Sequence, residues 1–82
     1  MSIGGRVIQI KEMTTRDGVH VNRLWCVDRN GTETCVFAEW RPELESPQLG
    51  ENVWWQAGLI MFDQDRRTVR KIGNCHSPRD EG

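Results

Sequence analysis

The side chains able to do chemistry are few and scattered. Three cysteines, two histidines and one cluster of bases stand out in 82 residues. Cys26 and Cys35 are spaced C-x8-C, and Cys75-His76 follows far downstream. That spacing matches no zinc signature, and His20 is the one remaining histidine, so no metal site is expected. Reduced thiols are the simpler reading of these cysteines than a disulfide framework. No H-x-E, G-x-S-x-G or P-loop pattern occurs, and no carboxylate pair is placed inside a pocket. Glu43, Glu45 and Glu51 crowd a connection and read as solvated. The expectation is a chain that binds rather than catalyses, with no cofactor.

The charge balance narrows the partner classes. A net charge of −1 does not describe a protein that holds polyanions by bulk charge. Locally the picture differs. Residues 41–63 carry Arg41 against Glu43, Glu45, Glu51 and Asp63, whereas RRTVRK packs Arg66, Arg67, Arg70 and Lys71 together. There is no apolar run of membrane-spanning length, and MSIGGRVIQI lacks a signal-peptide pattern. A non-membrane, cytoplasmic protein is the expectation. A chain of this size buries only roughly 60% of its unfolded surface, so its four tryptophans weigh heavily in the core.

These residues must be positioned by strands. Asp17-Gly18 and Asn30-Gly31 are strong hairpin dipeptides, because a type I′ loop needs positive φ at both central residues. They predict strands over 5–14, 19–28 and 33–40. RPELESPQLG (41–50) reads as a connection, 51–62 as a fourth strand and 68–73 as a fifth. The spacing thus gives one domain over 1–73, with a loose tail over 74–82.

Two-residue loops also fix a register. They pair Ile10 with Trp25, Ile8 with Val27, Glu12 with Arg23, Trp25 with Val36, Arg23 with Ala38 and Val21 with Trp40. One face then collects Ile8, Ile10, Val21, Trp25, Val27, Val36, Ala38 and Trp40, which is the expected core. The outer face holds Gln9, Lys11, Met13, Asn22, Leu24, Cys26, Cys35, Phe37 and Glu39. Leu24 falls opposite Phe37. Cys26 falls opposite Cys35 at a close-approach position, whose geometry allows a cross-strand disulfide under oxidation; two half-buried thiols are the simpler reading. On the fourth strand, alternation sends Val53, Trp55, Ala57 and Leu59 inward and Trp54, Gln56 and Ile60 outward.

The order of three meander strands, a long connection and two more strands resembles the OB-fold, a five-stranded Greek-key barrel. PQLGENVWWQAGLI is similar to the stretch leading into OB strand four. GRVIQIKEMTTRDGVHVNRLWCVD resembles the opening hairpin of OB single-stranded-DNA-binding proteins. The chain also resembles small phage- or prophage-encoded OB-like proteins. The resemblance implies a binding surface on the outer face of strands two and three, framed by two loops. Carried onto this sequence, it holds Asn22, Leu24, Cys26, Cys35 and Phe37, with Arg16 and His20 from the first loop and Arg66 and Arg67 from the last.

Two functional expectations come from different classes. In the first, the barrel binds single-stranded nucleic acid as an accessory to replication or recombination. Phe37 and Trp54 stack on bases; Arg16, Asn22, Arg66, Arg67, Arg70 and Lys71 complete the surface. In the second, the chain is an interaction or inhibitor module, phage or bacterial, in which Leu24, Phe37, Cys26 and Cys35 form an apolar patch for a protein partner or a second copy of the chain.

Overall fold

Both expected hairpins form, but each loop holds three residues instead of two. In the computed structural model, which describes residues 3–40, 47–63 and 68–75, Gly18 N donates to Thr15 O and Thr15 N to Val19 O. Gly31 N donates to Asp28 O and Asp28 N to Thr32 O in the same pattern. Positive φ occurs at Gly18 and Gly31 (82° each) but not at Asp17 or Asn30. This is a type I turn closed by a left-handed glycine, the usual three-residue hairpin. Side chains at the first turn position support it. Asp28 Oδ1 accepts from the backbone of Asn30 and Thr32 at 2.9 Å, and Thr15 Oγ1 accepts from Val19 N at 3.1 Å.

The extra loop residue shifts each register by one, and one residue is enough to exchange the faces of a strand. The strands are β1 (Ile3–Thr14), β2 (His20–Val27) and β3 (Glu33–Glu39). Leu24, not Trp25, stands opposite Val36, and it also faces Ile10. Asn22, Leu24 and Cys26 therefore turn into the barrel, correcting their expected place on the outer face. Trp25 and Val27 move out of the expected core and are half-buried. Cys26 faces Val7 and Thr34 rather than Cys35, and Glu12 faces Asn22 rather than Arg23. A bulge between Val7 and Gln9 exchanges faces once more within β1, so Val7 is buried while Ile8 is 40% exposed.

Residues 51–62 fold as a hairpin, not one strand, so the described residues form six strands rather than the expected five. β4 (Asn52–Gln56) and β5 (Leu59–Phe62) are joined through Ala57 and Gly58, whose φ values of 53° and 80° make a type I′ turn. Val53 and Trp55 point inward and Trp54 outward, as the alternation indicates. Beyond the turn the faces invert: Ile60 is fully buried and Leu59 is 46% exposed. Ala57 carries a Cβ in a left-handed conformation, which costs on the order of 1 kcal/mol. Ala57→Gly, or Ala57→Asn to give an Asn-Gly turn, should raise stability by about 0.5–1 kcal/mol. Urea denaturation checks this; a destabilised variant would contradict the turn.

β6 (Thr68–Cys75) completes a closed antiparallel barrel in the order β1-β2-β3-β6-β5-β4, with β4 pairing back onto β1. Closure leaves no free sheet edge among these strands. The core is Val7, Leu24, Cys26, Val36, Ala38, Val53, Trp55, Ile60, Phe62 and Val69, with Ile10 packed against it. The last strand extends past the expected end at 73 and carries Cys75, which forms a disulfide with Cys35. Cys26, the cysteine that the shorter loops would put beside Cys35, is free and buried.

Candidate functional site

The site grows from two glycines. β1 changes partner near its start: Arg6 is the Cα partner of Val27 on β2 and also of Asn52 on β4. The strands crowd so closely there that only glycine fits. A Cβ on Gly4 would run into Val53 O and the Trp54 backbone, and one on Gly5 would stand 2.5 Å from Val27 O. Gly4 is also the Cα partner of Trp54. With no side chain at that position, the flank of the half-buried Trp54 ring on the β1 side is left open.

The result is an open groove of about 730 Å³ lined by Gly4, Gly5, Arg6, Val27, Asp28, Arg29, Asn52, Val53 and Trp54. Arg6 and Arg29 are exposed, and Arg29 stands in the β2–β3 turn. Asp28 also lines the groove, but its Oδ1 is engaged by the turn backbone. Beyond Trp54 the outer surface continues across β5 through Met61, its Cα partner, and Leu59. Leu59 in turn pairs with Arg70 on β6. An aromatic ring with a short apolar strip, two arginines at one end and one at the other, can hold a planar group and contact anions on either side.

The expected site residues do not gather here as one set. Trp54 lies in the groove. Arg70 is exposed at the far end of the strip, with its guanidinium 4.0 Å from the Glu39 carboxylate, an exposed pair worth little. Lys71 is half-buried beside Ala38, so the two bases do not act on one face. Phe37 is half-buried on β3 beside Arg23 and Gly73, separated from Trp54 by intervening strands. Arg16 and His20 lie at the other end of β2. Asn22, Leu24 and Cys26 are buried, as is Cys35 in its disulfide, so the expected Leu24–Phe37 patch does not form. Arg66, Arg67 and His76 lie outside the described residues, as do Glu43 and Glu45. Among the described residues no group of three His, Cys, Asp or Glu could hold a metal ion, and no helix is long and apolar enough to cross a membrane.

No family model, curated protein or solved structure matches the chain.

Sequence reasoning missed Arg6, Arg29, Asn52 and the glycine pair. The legible signal was Gly4-Gly5 within a strand, since glycine in a strand interior marks close backbone approach. Burial pushes the Cys26 thiol up to about 12 from 9.0. An unfolded chain releases that proton first. Stability is then full below pH 9 and falls as pH rises toward 12, by up to about 1.4 kcal/mol per pH unit. Alkaline denaturation of Cys26→Ala should lack this slope; an identical slope would remove Cys26 as its source.

Proposed function

We propose that the protein binds single-stranded nucleic acid, with Trp54 as the stacking platform and Arg6 and Arg29 as the phosphate contacts. The observation that carries this reading is the open flank of Trp54 beside two exposed arginines. Non-specific single-strand binders combine such a ring with a basic groove. The OB-like reading of the sequence and a role accessory to replication or recombination belong to the same proposal. Arg70 extends the surface at its far end.

The test is a tryptophan-fluorescence titration with a dT oligonucleotide at low and at physiological salt. Quenching that weakens steeply with salt is expected, because phosphate contacts release counterions. Trp54→Ala should weaken binding by about 1–3 kcal/mol, the usual worth of one stacked base, in a variant that circular dichroism shows to be folded at the temperature of the titration. Arg6→Ala with Arg29→Ala should flatten the salt slope. A flat titration at low salt would reject the proposal. Exposed Leu59 beside Met61 and Trp54 favours a second reading, a protein partner or second copy on this strip. Light scattering showing a dimer that Leu59→Asp dissociates would favour it.

A further inference from the structure

The groove holds one side chain that stacking and phosphate contact leave unused. Asn52 lies two residues before Trp54 on β4, and the buried Val53 between them turns into the core. Trp54 and Asn52 therefore project from the same outer face, about 6.8 Å apart along the strand. Both line the groove, and Asn52 is exposed. Its backbone is held on both sides. It is the Cα partner of Arg6 on β1, and its carbonyl oxygen accepts from Asp63 N at 3.1 Å.

Four residues of the β1–β4 ladder make a corner. Trp54 stands opposite Gly4, and Asn52 stands opposite Arg6. Directly opposed residues have Cβ positions about 4.5–5.5 Å apart, and diagonal neighbours lie within reach of long side chains. Three of the four positions carry side chains and the fourth, Gly4, carries none. All four line the groove. A planar base laid over Gly4 against the flank of the Trp54 ring has an edge toward Asn52. Arg6, two residues along β1 on the face that Gly4 shares, holds the phosphate of that nucleotide.

We propose that Asn52 makes the groove prefer adenine, its amide oxygen accepting from the base N6–H and its amide nitrogen donating to N7; this rests on the groove being a single-strand site. The amide offers one acceptor and one donor side by side. On the N7 side adenine alone presents the matching pair. Guanine presents two acceptors there, and pyrimidines have no N7. Because the phosphate contact Arg6 stands directly beside Asn52, the edge that reaches the amide is the one nearest the nucleotide's own phosphate, which is the N7 side. A purine also covers more of the Trp54 ring than a pyrimidine does.

The experiment titrates the full chain with decamers of dA, dT, dC and 7-deaza-dA at low salt, reading tryptophan fluorescence. The dA decamer should bind about fivefold or more tighter than dT and dC, the least that one bidentate pair supplies. The 7-deaza-dA decamer stacks as dA does but lacks the N7 acceptor, and should lose most of that difference. Asn52→Ala, a change at an exposed position, should bring dA and 7-deaza-dA together and leave the affinity for dT as in the parent. Equal binding of dA and 7-deaza-dA by the parent, or a dA preference that survives Asn52→Ala, would overturn the assignment while leaving the groove a single-strand site. If none of the decamers binds, the single-strand reading itself falls and the role of Asn52 falls with it.

Discussion

Reduction of the Cys35–Cys75 bond should remove on the order of 4 kcal/mol of stability. The two cysteines are 40 residues apart, and cross-linking a loop of that length restricts the unfolded chain by about that amount. The bond joins β3 to the end of β6, the seam at which the barrel closes, so its loss also frees the β6 terminus. For a domain of this size, about 1 kcal/mol moves the midpoint by roughly 4–8 °C. A fall on the order of 15–30 °C is therefore expected for dithiothreitol-treated protein, and a similar fall for Cys75→Ala. Cys26 offers no route to reshuffling. It points into the core while Cys35 lies on the outer side of β3, and its raised pKa leaves almost no thiolate at neutral pH. Iodoacetamide should leave the native oxidised chain unlabelled. An unchanged midpoint on reduction, or ready labelling, would contradict the assignment of the bond.

The second large effect is expected at the glycine pair. A Cβ at Gly4 or Gly5 meets backbone, which cannot swing aside as a flexible side chain could. Gly4→Ala must part β1 from β4, and Gly5→Ala must part β1 from the end of β2. Overpacking of this kind costs about 3 kcal/mol or more. Gly73→Ala is the control, since a Cβ there meets nothing within 4 Å; its midpoint should move by no more than about 0.5 kcal/mol. Denaturant unfolding of the three variants checks this. Equal stability of Gly4→Ala and the parent would remove the strand crossing that shapes the groove.

The all-β barrel was legible because turn glycines and alternation mark strands wherever they fall. Which side of β2 faced inward was not, although Val36 and Ala38 on β3 lie in the core as alternation indicates. Asp-Gly and Asn-Gly serve both the two-residue type I′ loop and the three-residue loop in which glycine alone is left-handed. The signals separating them were Thr15 and Asp28, whose side chains accept from the turn backbone. One residue of slip put Leu24 in the core and Trp25 outside. The β4–β5 turn was hidden for the opposite reason, because alanine stands where a type I′ turn favours asparagine or glycine. The facing of Trp54 survived because it depends on alternation within β4 and not on any loop length. The groove around it escaped notice because Arg6, Arg29 and Asn52 come from three separate parts of the chain, brought together by the register.

The most direct measurement is an amide and indole NMR titration of the labelled chain with a dT oligonucleotide. Shifts concentrated at Gly4, Gly5, Arg6, Arg29, Asn52 and the Trp54 indole, extending toward Arg70, are the expected result. Shifts centred instead on Trp25 and Phe37, with the Trp54 indole unmoved, would contradict the assignment of the groove as the binding surface.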